Sequence, residues 1–143
     1  MKYLIITVIS LLMLTSCNGT KNTKEKSTEI DNKFIGEYSI QSVLKKNISN
    51  KNLTISFDQN DKAVTGSSGC NTFFGNFIRN GKTITFNKIS STKIYCSDNA
   101  VNQLEKEFNS AITSVTTIIK QSYHQIVLGN KEGTEVMILI KEK

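Results

Sequence analysis

The chain has 143 residues, 38% hydrophobic and 21% charged, with no Pro, no Trp, 3 Cys and a single His. That is one domain and a tail with enough apolar residues for a core, which excludes two domains of ordinary size and global disorder. Three Cys and one His are too few for a four-thiolate zinc site or a dense His/Cys cluster, and no GxxxxGK or GxGxxG occurs, so neither metal nor nucleotide chemistry is expected. Eighteen Lys and Arg against twelve Asp and Glu give +6, and thirteen against nine from residue 34 onward give +4. Apart from Lys45, Lys46 and Lys51 the lysines are dispersed, which fits a solvated face. No nucleic-acid partner is expected, and anionic head groups or envelope polysaccharide are the more sensible counterpart of this charge.

Met1-Lys2 is a short positive start, and residues 3–14 (YLIITVISLLML) carry no charge. As a helix those residues would span roughly 18 Å, short of a ~30 Å hydrocarbon core, so the segment reads as a signal-peptide h-region. Leu14-Thr15-Ser16-Cys17 follows and resembles the lipobox of bacterial lipoproteins. The resemblance implies a signal peptide over residues 1–16, cleavage before Cys17 and lipidation of Cys17. The alternative is an ordinary secreted protein with an incidental Cys. Two or more acyl chains make anchoring stable, so the expected location is the cell envelope, held by lipid. Asn18 follows the Cys instead of the Asp that retains lipoproteins at the inner membrane, and no acidic run follows; lipoprotein sorting then implies the periplasmic side of the outer membrane. Residues 18–33 hold one apolar residue, Ile30, with four Lys and three acids. Such a segment buries too little to offset its ordering entropy and reads as a tether over residues 17–33.

From Phe34 the pattern is that of a folded domain over residues 34–143. Tyr38 and Ile40 share a strand face, and Leu53, Ile55 and Phe57 alternate with polar neighbours. Residues 59–62 form a turn and residues 63–67 a returning strand. A strand through Phe73 to Ile78 leads into Asn80-Gly81, the strongest hairpin signal, and residues 82–86 return. Residues 89–95 are predicted as a further strand. Val101, Leu104, Phe108, Ala111, Ile112 and Val115 then follow spacings of three and four, which predicts one amphipathic helix over residues 98–114 capped by Ser97 or Asp98. Strands follow at residues 116–120, 125–129 and 135–141. Seven to nine strands with one helix predict an α+β fold in which an antiparallel sheet packs on an amphipathic helix.

The most distinctive stretch is Val64-Thr65-Gly66-Ser67-Ser68-Gly69-Cys70-Asn71-Thr72-Phe73-Phe74-Gly75-Asn76-Phe77. Together with Ser91-Thr92 ahead of Cys96, and the helix segment Glu105-Lys106-Glu107-Phe108 with Ile112, it resembles the META domain, the HslJ-like family of bacterial envelope proteins. Ser68 replaces one glycine of the family element, and Tyr38 stands where the family often has Trp. The resemblance implies a curved antiparallel sheet, an opened barrel, packed on the helix, in a protein of envelope stress tolerance or assembly. It brings no catalytic residue. With Cys17 lipidated, Cys70 and Cys96 remain as an even pair within the two strongest family elements, in a compartment where disulfides persist. A disulfide between them is expected, against the alternatives of two buried thiols, a shared metal site or a redox pair.

No enzymatic activity is expected. His124 is the only imidazole, Ser is too common to mark a triad, and a Cys70–His124 thiol catalyst conflicts with an oxidising compartment and a nearby second Cys. No cofactor or metal is expected. Two functions stay open: a domain that binds an envelope protein partner, and a carrier holding an acyl chain or other apolar molecule between sheet and helix. For the second, Phe73, Phe77, Phe86 and Phe108 are the candidate pocket lining, with an ordinary filled core as the alternative.

Overall fold

The computed structural model describes residues 34–142. The expected signal peptide, lipobox with Cys17 and tether lie outside the described residues. Among the described residues nine strands, β1 (Gly36–Val43), β2 (Lys46–Asn47), β3 (Thr54–Phe57), β4 (Ala63–Ser67), β5 (Thr72–Asn80), β6 (Thr83–Ser91), β7 (Thr117–Gln121), β8 (Gln125–Gly129) and β9 (Glu135–Lys141), accompany one long helix, α1 (Asn99–Ser114), and a 3-10 turn at Ser49–Lys51. They form one sheet in the order β2-β1-β3-β4-β5-β6-β7-β8-β9, and β1 also pairs with β9, so the hydrogen bonding runs in a ring. All pairings are antiparallel. The ring is thinnest between β6 and β7, where Thr83 pairs with Thr117 and the flanking bonds are Ile84 N to Thr116 O, 3.1 Å, and Ile118 N to Lys82 O, 2.7 Å. The result is not a regular barrel but an α+β fold of a curved sheet and a helix.

Register defines two ends. Gly36 pairs with Phe57 and Phe57 with Val64 toward the end where residue 34 enters. Thr54 pairs with Ser67, Ser67 with Thr72 and Phe73 with Ser91 at the far end. The helix connects β6 to β7 and packs on β1, β6 and β9. Asp98 caps it, its carboxylate accepting from Ala100 N at 2.7 Å, which satisfies one of the orphan donors of the first turn. Leu104, Phe108, Ala111, Ile112 and Val115 of the predicted stripe are buried.

Two local expectations are corrected, and one strand is found that the sequence pattern does not predict. The turn after β5 is Gly81-Lys82, not Asn80-Gly81, since Asn80 pairs with Thr83. Gly81, at φ 59°, takes its first central position, the type II′ requirement. Residues 89–95 are not one strand: β6 ends at Ser91 and the chain leaves the sheet. The short β2 is added by a two-residue turn in which Leu44 (φ 49°) and Lys45 (φ 66°) are both left-handed.

At the entry end Phe34 lies 4.3 Å from Phe57 and 5.7 Å from Phe77, centroid to centroid. The Arg79 guanidinium stands 4.5 Å over the Phe34 ring and donates to Gln121 Oε1 at 2.9 Å. The Tyr38 hydroxyl donates to Phe34 O at 2.9 Å. Burial pushes the Tyr38 phenol from 10.0 up to about 12, partly opposed by the charge of Arg79. The folded state therefore holds this proton more tightly than the unfolded chain does. The stability this provides is complete below about pH 10 and is lost as pH rises towards 12. Denaturation midpoints measured across that window should fall with pH, and Tyr38→Phe should flatten the slope.

Candidate functional site

The far end gathers the distinctive sequence elements. Between β4 and β5 the chain turns through Ser68-Gly69-Cys70-Asn71, with Gly69 at φ 119°, a conformation that L side chains rarely adopt. Ser68 N closes the turn on Asn71 O at 2.9 Å. The turn aims its donors at Glu105 on α1. Glu105 Oε1 accepts from Asn71 N at 2.7 Å, Ser68 Oγ at 3.0 Å and Cys70 N at 3.3 Å, and Oε2 accepts from Asn71 Nδ2 at 2.7 Å. Glu105 is 9% exposed. Its buried charge is balanced by charge-assisted hydrogen bonds to the loop. Glu107, two residues on, behaves differently: it is paired with Lys46 at 2.8 Å, and hydrogen bonds from Lys46 and then Gln103 hold its carboxyl below the usual range.

Asn71 joins this loop to the next one. Its Nδ2 also donates to Ile94 O at 3.1 Å, and its Oδ1 accepts from Thr92 Oγ1 and Ile94 N, both at 2.7 Å. Both amide hydrogens and both carbonyl lone pairs are thus used. Thr92 N returns to Thr72 O at 3.0 Å. A disulfide links Cys70 to Cys96 with Cα atoms 6.3 Å apart. Asn102 of α1 holds the Cys96 backbone twice, accepting from its N at 3.3 Å and donating to its O at 2.8 Å. Beside the disulfide runs a groove of about 330 Å³ whose lining includes Lys51, Cys70, Cys96, Asp98, Val101 and Leu104, with one cation and one carboxylate among them.

Chemically this arrangement is a fastener. Both Glu105 oxygens face the loop, not solvent, and tie the helix to two connections of the sheet. Sequence pattern alone does not single out Glu105 and Asn102 as partners of the Cys elements. A usable signal existed for Glu105, which falls four residues after Val101 and three before Phe108, on the apolar stripe.

The remaining candidates lie apart. Phe73 packs on Phe108 at 4.8 Å. Phe77 and Phe86 pack instead on Phe57, at 5.3 and 6.1 Å. The four phenylalanines thus divide between two ring groups. Phe77 also borders a depression of about 160 Å³ at the entry end, with Phe34, Ile78 and Arg79. His124 stands edge-on to Tyr123 at 4.7 Å, and its carbonyl accepts from Lys141 N at 2.9 Å. That is the entry end, opposite Cys70 and Glu105. Among the described residues no three His, Cys, Asp or Glu converge as metal ligands.

A ring-like antiparallel sheet on one helix, with a Gly-Cys-Asn loop fastened to that helix, defines a small α+β domain of a specific kind. The META domain matches residues 32–143, and the chain belongs to that family. No curated protein matches it significantly. Among solved structures it is similar to an NMR structure at 18% identity, TM-score 0.56, covering 73% of this chain and 87% of the other. It is similar also to an NMR structure of a Burkholderia xenovorans protein, at 15% identity and TM-score 0.58, covering 76% and 82%. A DUF4847-family protein from Bacteroides vulgatus has 15% identity and TM-score 0.50, with 76% and 93% covered. At these identities the likeness is one of fold.

Proposed function

We propose that the protein is a membrane-anchored envelope lipoprotein whose META domain works without catalysis, binding a protein partner in envelope stress tolerance or assembly. The observation that supports this best is the use of the distinctive residues. Asn71 has all its hydrogen-bonding positions taken, both Glu105 oxygens are turned onto the loop, and Cys70 is joined to Cys96. Groups that in an enzyme would face a substrate face one another. His124, the only imidazole, sits at the other end of the sheet. The packing of Phe73 on Phe108, and of Phe77 and Phe86 on Phe57, favours partner binding over the carriage of an acyl chain.

Anchoring rests on Leu14-Thr15-Ser16-Cys17 after an uncharged segment. Cys17→Ser should move the protein from the membrane fraction to the soluble fraction and remove the acyl mass seen by mass spectrometry. Unchanged fractionation and mass would overturn the anchor. Absence of catalysis is tested separately by His124→Ala, which should leave the cellular phenotype of the intact gene in place. Its loss at normal abundance would return the reading to catalysis.

A further inference from the structure

We propose that Cys70–Cys96 is an exchangeable disulfide: a protein dithiol attacks Cys70 Sγ from the groove and opens the bond while the domain stays folded. This goes beyond the partner-binding reading and does not depend on it. The pair is a substrate for exchange, not a catalyst of it. Its cysteines are 26 positions apart, whereas a catalytic redox pair has a two-residue gap.

Three observations carry it. Both cysteines line the groove of about 330 Å³, so the bond lies at the surface, whereas a disulfide inside the ring would exchange only after unfolding. Cys70 is half-buried and Cys96 is 8% exposed. Access selects the sulfur that is attacked, which makes Cys70 the target and Cys96 the leaving group. The third observation is that both cysteines keep their places without the bond. Glu105 accepts from Cys70 N at 3.3 Å and Asn71 N at 2.7 Å. Asn102 holds Cys96 N and O at 3.3 and 2.8 Å. The Asn71 side chain joins the two loops through Ile94 N and O, at 2.7 and 3.1 Å. None of these bonds uses a sulfur atom. Cleavage therefore leaves the two thiols near each other, at an effective concentration that favours re-closure.

The exchange is two displacements at sulfur. One thiolate of the dithiol bonds to Cys70 Sγ, the Cys70–Cys96 bond breaks, and Cys96 Sγ leaves with the electron pair and takes a proton from water. The second thiolate of the dithiol then attacks its partner sulfur in the mixed disulfide, and Cys70 leaves in the same way. Two electrons and two protons have passed from the dithiol, now a disulfide, to the domain, now carrying two thiols. The groove holds one charge of each sign. Lys51 attracts an arriving thiolate and Asp98 repels it, so the two charges act on the rate in opposite directions.

The test follows reduction of the full-length oxidised protein by dithiothreitol, counting thiols by mass after alkylation, at urea concentrations below the unfolding transition. The expected rate is proportional to dithiothreitol and changes less than about twofold with urea, because the folded state reacts. A rate that climbs with urea at the slope of global unfolding would overturn the proposal. Brief exposure to glutathione, then rapid alkylation, should place glutathione on Cys70 and the alkyl group on Cys96. The reverse placement would refute attack at Cys70. Asp98→Asn keeps a helix-capping side chain and should speed reduction about threefold, and Lys51→Gln should slow it about as much, the size of one exposed charge. Equal rates in all three proteins would exclude the groove as the path. Fully reduced protein should keep its native circular dichroism at room temperature and re-close on oxidation. Loss of that signal on reduction would overturn the proposal.

Discussion

Glu105→Ala is expected to lower the melting temperature by roughly 15 °C, at 4–8 °C per kcal/mol for a domain of this size. The carboxylate accepts from Asn71 N, Cys70 N, Ser68 Oγ and Asn71 Nδ2. Each buried donor left without a partner costs about 1–3 kcal/mol. Water reaching the opened loop recovers part of this, so the net loss is on the order of 3 kcal/mol. Glu105→Gln should fall between wild type and Ala. One amide oxygen still serves the backbone donors, but the new NH₂ group faces the NH₂ of Asn71, donor against donor. Thermal unfolding followed by circular dichroism distinguishes the three proteins. An unchanged melting temperature for Glu105→Ala would remove the carboxylate from the account of what holds the far end together.

The second large effect belongs to the disulfide. Cys70 and Cys96 are separated by 26 positions, and releasing such a closure gives the unfolded chain entropy equivalent to roughly 3.5 kcal/mol. Against a total of about 5–15 kcal/mol for a domain, Cys70→Ala with Cys96→Ala should produce a shift in melting temperature as large as that of Glu105→Ala. The fold should persist at room temperature, because Asn71 and Asn102 hold the same segment by other bonds. Combining these changes with Glu105→Ala should give less than the sum, since both release one loop and such neighbours are not additive. Alkylation of unreduced protein should find neither cysteine reactive until reductant is added.

Much of the fold was legible because one face of each element is buried. Leu53, Ile55 and Phe57 alternate because the ring has an inside, and the spacing of Leu104, Phe108 and Ile112 reports a helix lying on it. Misreadings arose where a side chain competes with the backbone ladder. Residues 92–95 continue a strand-like composition, yet Asn71 captures Thr92 and Ile94 and draws the chain out of the sheet. The Leu44-Lys45 turn had no local signal, since neither residue prefers positive φ. At the site, the Cys elements stood out by type, but the role of Glu105 required knowing which loop faces the helix. An acid on a helix stripe reads as surface charge until its donors, more than thirty residues away, are placed beside it.

Pairing of β1 with β9 bears on how the chain folds. Tyr38 meets Lys141 and Val43 meets Met137, contacts between opposite ends of the domain. Their loop-closure entropy must be met before they stabilise anything, which slows folding. Until β9 is in place, the edge of β1 that it covers is an open template for another strand, so incomplete chains are the aggregation-prone species. With no proline anywhere in the chain, no prolyl isomerisation is available as a slow step. Refolding should therefore be indifferent to prolyl isomerases, and with the disulfide kept intact its slowest phase reports the ring closing.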